Sequence, residues 1–186
     1  VMTVNITSSN DAPILVVNNG PVVYVENTPG VILDPAAVVS DPELDAINDY
    51  SGASLTLERD TGPDAEDSYD GTGTLSALVE GNTFDLGAAA LGTVTQNSAG
   101  TLVLTFNSNA TAALVDQVLQ SITYANTNNS PPPSVTIDWL FDDGNVTGQG
   151  SGGPLTSSGS VSVNITDQND APVNTVPGGQ SVAEEA

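Results

Sequence analysis

Alternating apolar and polar residues run along most of this chain, and each alternating segment predicts a β-strand that is buried on one face. The alternation is clearest at residues 53–59, 101–106, 135–141 and 161–165. In the third of these every second residue is apolar, which places Trp139 in the predicted core rather than on a sugar-binding surface. Weaker patterns predict further strands at residues 2–7, 14–17, 22–26, 31–40, 75–79, 94–96 and 122–124.

One segment changes to a helical period. Between Asn109 and Gln120 the apolar residues recur at helical spacing, and Asn109 is the predicted N-cap. Turn-forming residues at 97–100 predict a hairpin, and the acidic stretches 41–45 and 60–71 are predicted to be loops. The chain is therefore predicted to be all-β, an antiparallel β-sandwich of about 7 to 9 strands with one short helix.

The sequence repeats itself at its two ends. Residues 4–13 read Val-Asn-Ile-Thr-Ser-Ser-Asn-Asp-Ala-Pro, and residues 163–172 differ only in having Asp-Gln in place of Ser-Ser. A second match follows at the same spacing, because Val-Tyr-Val-Glu at 23–26 corresponds to Val-Ala-Glu-Glu at 182–185. Two matches in one register indicate a chain cut from a tandem array.

This repetition sets the predicted domain boundaries. Residues 13–172 are predicted to form one complete repeat. Residues 1–12 are then the last strand and linker of a preceding repeat, and residues 173–186 begin the next one. Adjacent repeats of the same chain are therefore the expected partners.

The second linker resembles that of cadherins, which reads Asp-x-Asn-Asp-x-x-Pro. Here residues 167–172 read Asp-Gln-Asn-Asp-Ala-Pro, Glu26 ends the first strand, and an Asp-x-x-x-Asp motif spans residues 41–45. In these features the chain resembles the bacterial cadherin-like repeats of large RTX-type and biofilm adhesins. The resemblance implies a cadherin-like or Ig-like Greek-key sandwich whose junctions bind calcium. It also implies a secreted protein of the bacterial cell surface that supports adhesion and biofilm formation.

The composition limits the chemistry. The chain has 23 acidic residues, a single base (Arg59), a formal net charge of −22, and no histidine or cysteine. The chain therefore lacks the basic patch that nucleic acid requires. Without imidazole or thiolate groups it has no ligands for soft metals, so hard ions such as calcium are favoured. No run of about 18 apolar residues predicts a membrane span, and an export signal is expected outside this chain. No nucleophile motif is present, and we expect no enzyme.

Oxygen-bearing side chains are predicted to gather at the two ends of the sandwich. The incoming site combines the first linker, the loop after the second strand and the end of a later strand: Asn10, Asp11, Asp41, Glu43, Asp45, Asp142 and Asp143. The outgoing site combines Glu26 with the second linker: Asp167, Asn169 and Asp170. Crowded carboxylates repel each other unless an ion lies between them, and both sites are predicted to bind calcium.

Other interpretations of the same residues stay open. Asp and Asn are also favoured in turns for local hydrogen-bonding reasons. Ser8 and Ser9 replace Asp167 and Gln168 in the first linker, which predicts fewer or weaker ions there. The acids of residues 60–71 lack EF-hand spacing and are predicted to form a solvated loop. The alternative function is a ligand- or carbohydrate-binding module, for which an exposed aromatic patch would be the sign.

Overall fold

The computed structural model describes residues 8–17, 20–146, 149–171 and 178. The predicted strand at 2–7, Pro172 and the match at 182–185 lie outside these residues. The described strands are β1 Ile14–Val16, β2 Val22–Val25, β3 Val31–Ile32, β4 Val38–Ser40, β5 Ser54–Arg59, β6 Asp67–Gly71, β7 Thr83–Leu86, β8 Ala89–Ser98, β9 Thr101–Phe106, β10 Ile122–Asn126, β11 Ser134–Asp142 and β12 Thr156–Thr166. The helices are α1 Pro42–Ile47 and α2 Ala112–Leu119.

The strands form three sheets around one core. The largest has the order β2-β12-β11-β5-β9-β8-β7, a second has β3-β10-β6, and a third pairs β1 with β4. The predicted all-β, sandwich-like fold is confirmed. Twelve strands, more than predicted, are present within the described residues because several have only two to four residues.

One pairing departs from the predicted antiparallel pattern. β2 lies parallel to β12, with Val22 opposite Val163 and Val25 opposite Thr166. The first half of β12 instead lies beside β1, where the backbone N–H of Leu15 donates to the hydroxyl of Ser157. β1 and β2 thus have different partners in the sheets, β4 and β12, and β2 is the parallel neighbour of the last strand.

Alternation along β11 builds the centre of the core. Its odd-numbered residues are buried, and Trp139 has no exposed surface, so the predicted core position of Trp139 is confirmed. The aromatic rings contact each other edge to face, for example Tyr24 with Tyr124 and Phe84 with Phe106. Such pairs add roughly 0.5–1.5 kcal/mol beyond the area they bury.

Helix α1 corrects the prediction of a loop at 41–45 and of a single helix. Asp41 is its N-cap, with extended backbone, and accepts hydrogen bonds from the backbone N–H groups of Glu43 and Leu44. Pro42 follows at the first helical position, which suits its fixed φ. The helix ends at Asn48, whose backbone is left-handed. The sequence Asp-Pro-Glu is therefore a helix start, and its acids were wrongly interpreted as belonging to a loop.

Helix α2 confirms the predicted helix with a shifted beginning. Its N-cap position is Thr111 instead of Asn109, whose backbone N–H donates to the side chain of Asn107 in a preceding turn. The predicted hairpin between β8 and β9 is present with a two-residue turn. Both turn residues, Ala99 and Gly100, have positive φ (53° and 80°), as the right-handed twist of a tight hairpin requires.

The region from 60 to 80 was predicted with its strand in the wrong place. β6 lies within the predicted loop 60–71, whereas the predicted strand at 75–79 makes only an isolated bridge from Leu75 to Leu86. Buried Asp67 and Tyr69 alternate with exposed residues along β6. A buried aspartate does not signal a strand in the sequence, which explains the error.

Neither described helix has the length and apolar character needed to cross a membrane.

Candidate metal sites at the two ends of the sandwich

The first linker lies against a glycine-rich loop that follows β11. Ser9 forms a parallel bridge with Ser151, whose carbonyl accepts from the N–H of Asn10 at 3.0 Å. The backbone approach is so close that a Cβ at Gly150 would lie 2.6 Å from the carbonyl oxygen of Ser8. Gly150 has a φ of 99°, which favours glycine for a second reason. The loop therefore holds the linker backbone in a fixed position.

Asp143 is the centre of the incoming site. It is fully buried. Its Oδ1 accepts from the N–H groups of Asn145 and Leu155, and its Oδ2 accepts from Nδ2 of Asn10 at 2.7 Å. Its backbone carbonyl accepts from Nε2 of Gln149 at 3.1 Å. The carboxylate thus joins the linker to the loop, with each of its oxygens already bonded to a donor.

Three buried oxygens near Asp143 have no hydrogen-bond donor among the described residues. They are Oδ1 of Asn10, Oε1 of Gln149 and Oδ2 of Asp41. The amide orientations are fixed, because each amide nitrogen donates to an oxygen of Asp143. A buried acceptor without a partner costs about 1–3 kcal/mol. This end of the molecule therefore has an excess of lone pairs.

Asp41 belongs to the same surroundings. Burial raises the pKa of Asp41 above its ordinary value of 3.8, and the carboxylates of Glu43 and Asp143 raise it further, against the lowering effect of the N–H groups of Leu44 and Glu43. Glu43 Oε2 accepts from the N–H of Asp11 at 3.2 Å, which ties the linker to α1. Helix α1, the linker and the loop after β11 thus meet at one corner.

Two of the residues predicted for this site have other partners. Asp45 accepts from the hydroxyl of Tyr50 at 2.7 Å through Oδ1 and from the N–H of Asp41 through Oδ2. Burial, followed by the bond to Asp45, raises the pKa of Tyr50, so Tyr50 stays a donor. Asp142 is only half-buried, and its Oδ1 accepts from the N–H of Gly144. Asp45 and Asp142 therefore have hydrogen-bond donors of their own, unlike the oxygens that lack them.

The outgoing site lies at the opposite end of β12. β11 and β12 are antiparallel with Asp142 opposite Thr156, so Asp143 and the residues after Thr166 are at opposite ends of the sheet. Glu26 is 2% exposed, and its Oε2 accepts from the N–H of Gln168 at 2.9 Å. Its Oε1 has no donor within the described residues. One buried carboxylate thus contacts the backbone of the second linker.

The linker side chains at this end are exposed. Asp167, Asn169 and Asp170 all lie at the surface, and Oδ1 of Asp170 accepts from Nδ2 of Asn27 at 3.5 Å. No group of three or more Asp or Glu side chains is placed to hold a metal ion within the described ranges. The structure therefore brings together a mixed set of oxygens at the incoming end and a single buried carboxylate at the outgoing end.

Gln149 is the residue that the sequence interpretation missed. It lies in a stretch of glycine and serine that follows β11, where its neighbours suggest only a loop. Its complete burial is a property of the tertiary structure, because the loop folds back over Asp143. A lone glutamine in a glycine-rich loop was the one local signal, and it is a weak one.

The acids of residues 60–71 form a different kind of cluster. Arg59 makes a bidentate pair with buried Asp67, at 2.7 and 2.8 Å, and a salt bridge with Asp64 at 2.9 Å. Asp67 also accepts from the hydroxyl of Tyr124 and the amide of Asn126. The predicted solvated loop is therefore wrong for Asp67, which is the centre of an ion-pair network.

The outer face of the large sheet carries a groove of about 390 Å³. Its polar lining includes Glu58 and Asp138, which lie opposite each other on β5 and β11. All eight aromatic side chains of the chain are buried, so the groove offers no aromatic surface on which a sugar could stack.

The sequence matches no protein-family model and no curated protein. The functional interpretation therefore depends on the residues and contacts of this chain.

Proposed function

We propose that this chain is a calcium-binding structural repeat of a secreted bacterial cell-surface adhesin. Calcium at the junctions would hold successive repeats as an extended rod, which supports cell adhesion and biofilm formation. In this proposal the repeat is a spacer and has no enzymatic activity. The observation that carries it is that, among the described residues, buried oxygen acceptors without donors lie at both ends of the sandwich, three around Asp143 and one on Glu26.

The chemistry of these oxygens favours a hard cation. Calcium binds 6 to 8 oxygens at about 2.3–2.6 Å and accepts carboxylate, amide and backbone oxygens alike. The chain has no imidazole or thiolate for a softer metal. A net charge of −22 also repels itself, and divalent cations would reduce that repulsion.

The two linkers support a role in joining repeats. In the first linker, Asn10 reaches into the corner around Asp143 of the repeat that follows it. In the second linker, the N–H of Gln168 bonds to Glu26 of the repeat that precedes it. Asn169 has the position of Asn10 in the repeated sequence. The second linker would therefore contact the preceding repeat through Gln168 and the following repeat through Asn169.

Ions at both contacts would restrict the angle between repeats. Without calcium, unneutralised carboxylates on both sides of a short linker repel each other, and the junction bends over a wide range. With calcium, the ions bridge groups of both repeats. The calcium of the external medium would then make the array rigid, whereas the low calcium concentration before export would leave the chain flexible.

Small-angle scattering of two consecutive repeats tests this proposal. We expect a larger maximum dimension and a narrower distance distribution in millimolar calcium than in chelator at equal ionic strength. Glu26→Gln in the first repeat should reduce that difference, because it removes the charge next to the linker while keeping an acceptor for Gln168. The matched control is Asp138→Asn, a change at an exposed acid in the middle of β11, opposite Ser160 in the middle of β12 and so distant from both linkers. Unchanged or smaller dimensions in calcium would contradict the rod.

A further inference from the structure

Gln149 is completely buried, which is unusual for a glutamine in a loop. It has no exposed surface, although it lies in a loop beside several glycines. Glutamine is mostly found at protein surfaces, and fixing its side chain costs conformational entropy. Among the described residues, its side chain makes one hydrogen bond, from Nε2 to the carbonyl of Asp143. Packing alone would be served as well by leucine or methionine, so the amide oxygen needs a separate explanation.

Asp143 fixes where that oxygen points. Because Nε2 of Gln149 donates to the backbone of Asp143, Oε1 is turned away from this carbonyl. Asn10 repeats the arrangement, since its Nδ2 donates to Asp143 Oδ2 and to the carbonyl of Gly153, and no described residue donates to its Oδ1. Two amides are therefore held by their nitrogen ends on one residue, and both present an oxygen.

Asp41 supplies the third oxygen and the charge. Its Oδ1 caps α1, while Oδ2 has no donor in the described part of the chain. One carboxylate with two amide oxygens is an all-oxygen set that suits calcium. Hydrogen bonds from ligands to a neighbouring carboxylate commonly orient such a set, which is the part that Asp143 is placed to play.

The geometry points to Gln149 Oε1 as a calcium ligand at the incoming site, together with Asn10 Oδ1 and Asp41 Oδ2. This assignment rests on the proposed function. Asp143, predicted from the sequence as a ligand, becomes a positioning residue, because its own oxygens are bonded to N–H donors. Calcium would join the first linker, α1 and the loop after β11 through one residue of each.

Calorimetric titration of the calcium-stripped chain with calcium chloride tests the assignment. Gln149→Met removes both polar atoms at similar length, and we expect one site to disappear or to weaken by about tenfold or more. Gln149→Glu keeps an acceptor and adds a charge beside the carbonyl of Asp143. We expect it to melt lower than the wild type in chelator and to gain more from calcium. The control is Gln117→Met, on the exposed face of α2, with wild-type binding.

The outcomes separate this assignment from the proposed function. If the wild-type chain binds no calcium, the proposed function fails and the assignment fails with it. If the wild type binds and Gln149→Met has the same stoichiometry and affinity, only the assignment is overturned. Should Gln149→Met not fold, Gln149→Glu decides. A calcium-induced rise in melting temperature equal to that of the wild type would overturn the assignment, and a larger rise would support it.

Discussion

Two buried acidic groups of this protein differ in how their oxygens are satisfied. Around Asp67, both carboxylate oxygens accept hydrogen bonds from Arg59, Tyr124 and Asn126. Around Asp143, by contrast, oxygens of Asn10, Asp41 and Gln149 have no donor among the described residues. The local density of acids does not separate the two groups. The number of donors does, because a buried acceptor must be bonded to hydrogen or to a cation.

The single base sharpens this difference. Arg59 is the only Lys or Arg of the chain, and it is used at Asp64 and Asp67. Every other carboxylate must therefore be satisfied by N–H or O–H groups, by solvent or by a metal ion. Three of the buried oxygens that lack donors in the described chain lie at the incoming site, and the fourth is Oε1 of Glu26 at the outgoing end. A cation from solution would make there the contact that Arg59 makes at Asp67.

The largest expected effect comes from Asp67, whose two carboxylate oxygens both have hydrogen-bond donors. Asp67→Ala should destabilise the fold by about 3–5 kcal/mol, because it leaves the guanidinium of Arg59, whose side chain is only 12% exposed, without its main partner. Calcium should not restore the loss. Urea unfolding with calcium and with chelator measures both effects. If calcium rescues the variant selectively, the network around Arg59 is itself a cation site and the comparison is wrong.

Calcium should have the next largest effect on the wild-type chain. An ion at a hundred times its dissociation constant stabilises the fold by about 2.7 kcal/mol for each independent site. Magnesium should stabilise less, because it demands near-octahedral geometry and gives up its bound waters reluctantly. Melting curves in calcium, magnesium and chelator make the comparison. Identical curves in calcium and chelator would refute calcium binding, and equal protection by magnesium would indicate unspecific neutralisation of charge.

The smallest effect concerns pH and Asp41. Its pKa in the folded state is raised above 3.8, so protonation favours the folded chain as the pH falls through the raised value, and this contribution is complete below 3.8. Calcium binds the ionised carboxylate of Asp41, so protonation of Asp41 weakens calcium binding as the pH falls. Melting temperatures in calcium and chelator should therefore converge as the pH falls. Asp41→Asn should weaken the convergence, and no convergence in the wild type would exclude Asp41 as a ligand.

The sequence was sufficient for features that depend on local periodicity. Alternation along β11 predicted the burial of Trp139, and the helical period predicted α2. It was not sufficient where one residue had two interpretations. Asp41 is both an acid and an N-cap, and its position before Pro42 favours the cap. Because Asp41 was interpreted as a metal ligand in a loop, the helix that it caps was not predicted.

Other features depend on contacts between distant segments. Gln149 is buried because its loop folds over Asp143, and Asp67 can lie in a strand because Arg59 and Tyr124 meet it there. Neither contact leaves a periodic trace in the sequence. The parallel neighbours β2 and β12 are another case, since hydrophobic alternation does not show which strands pair.

The pairing of β2 with β12 has a mechanical consequence. From the first linker the chain reaches β2 through β1, and it leaves at the end of β12, which runs in the same direction as β2. A force that pulls the two linkers apart therefore slides these strands past each other. Their hydrogen bonds are then loaded together in shear instead of opening one after another from an end.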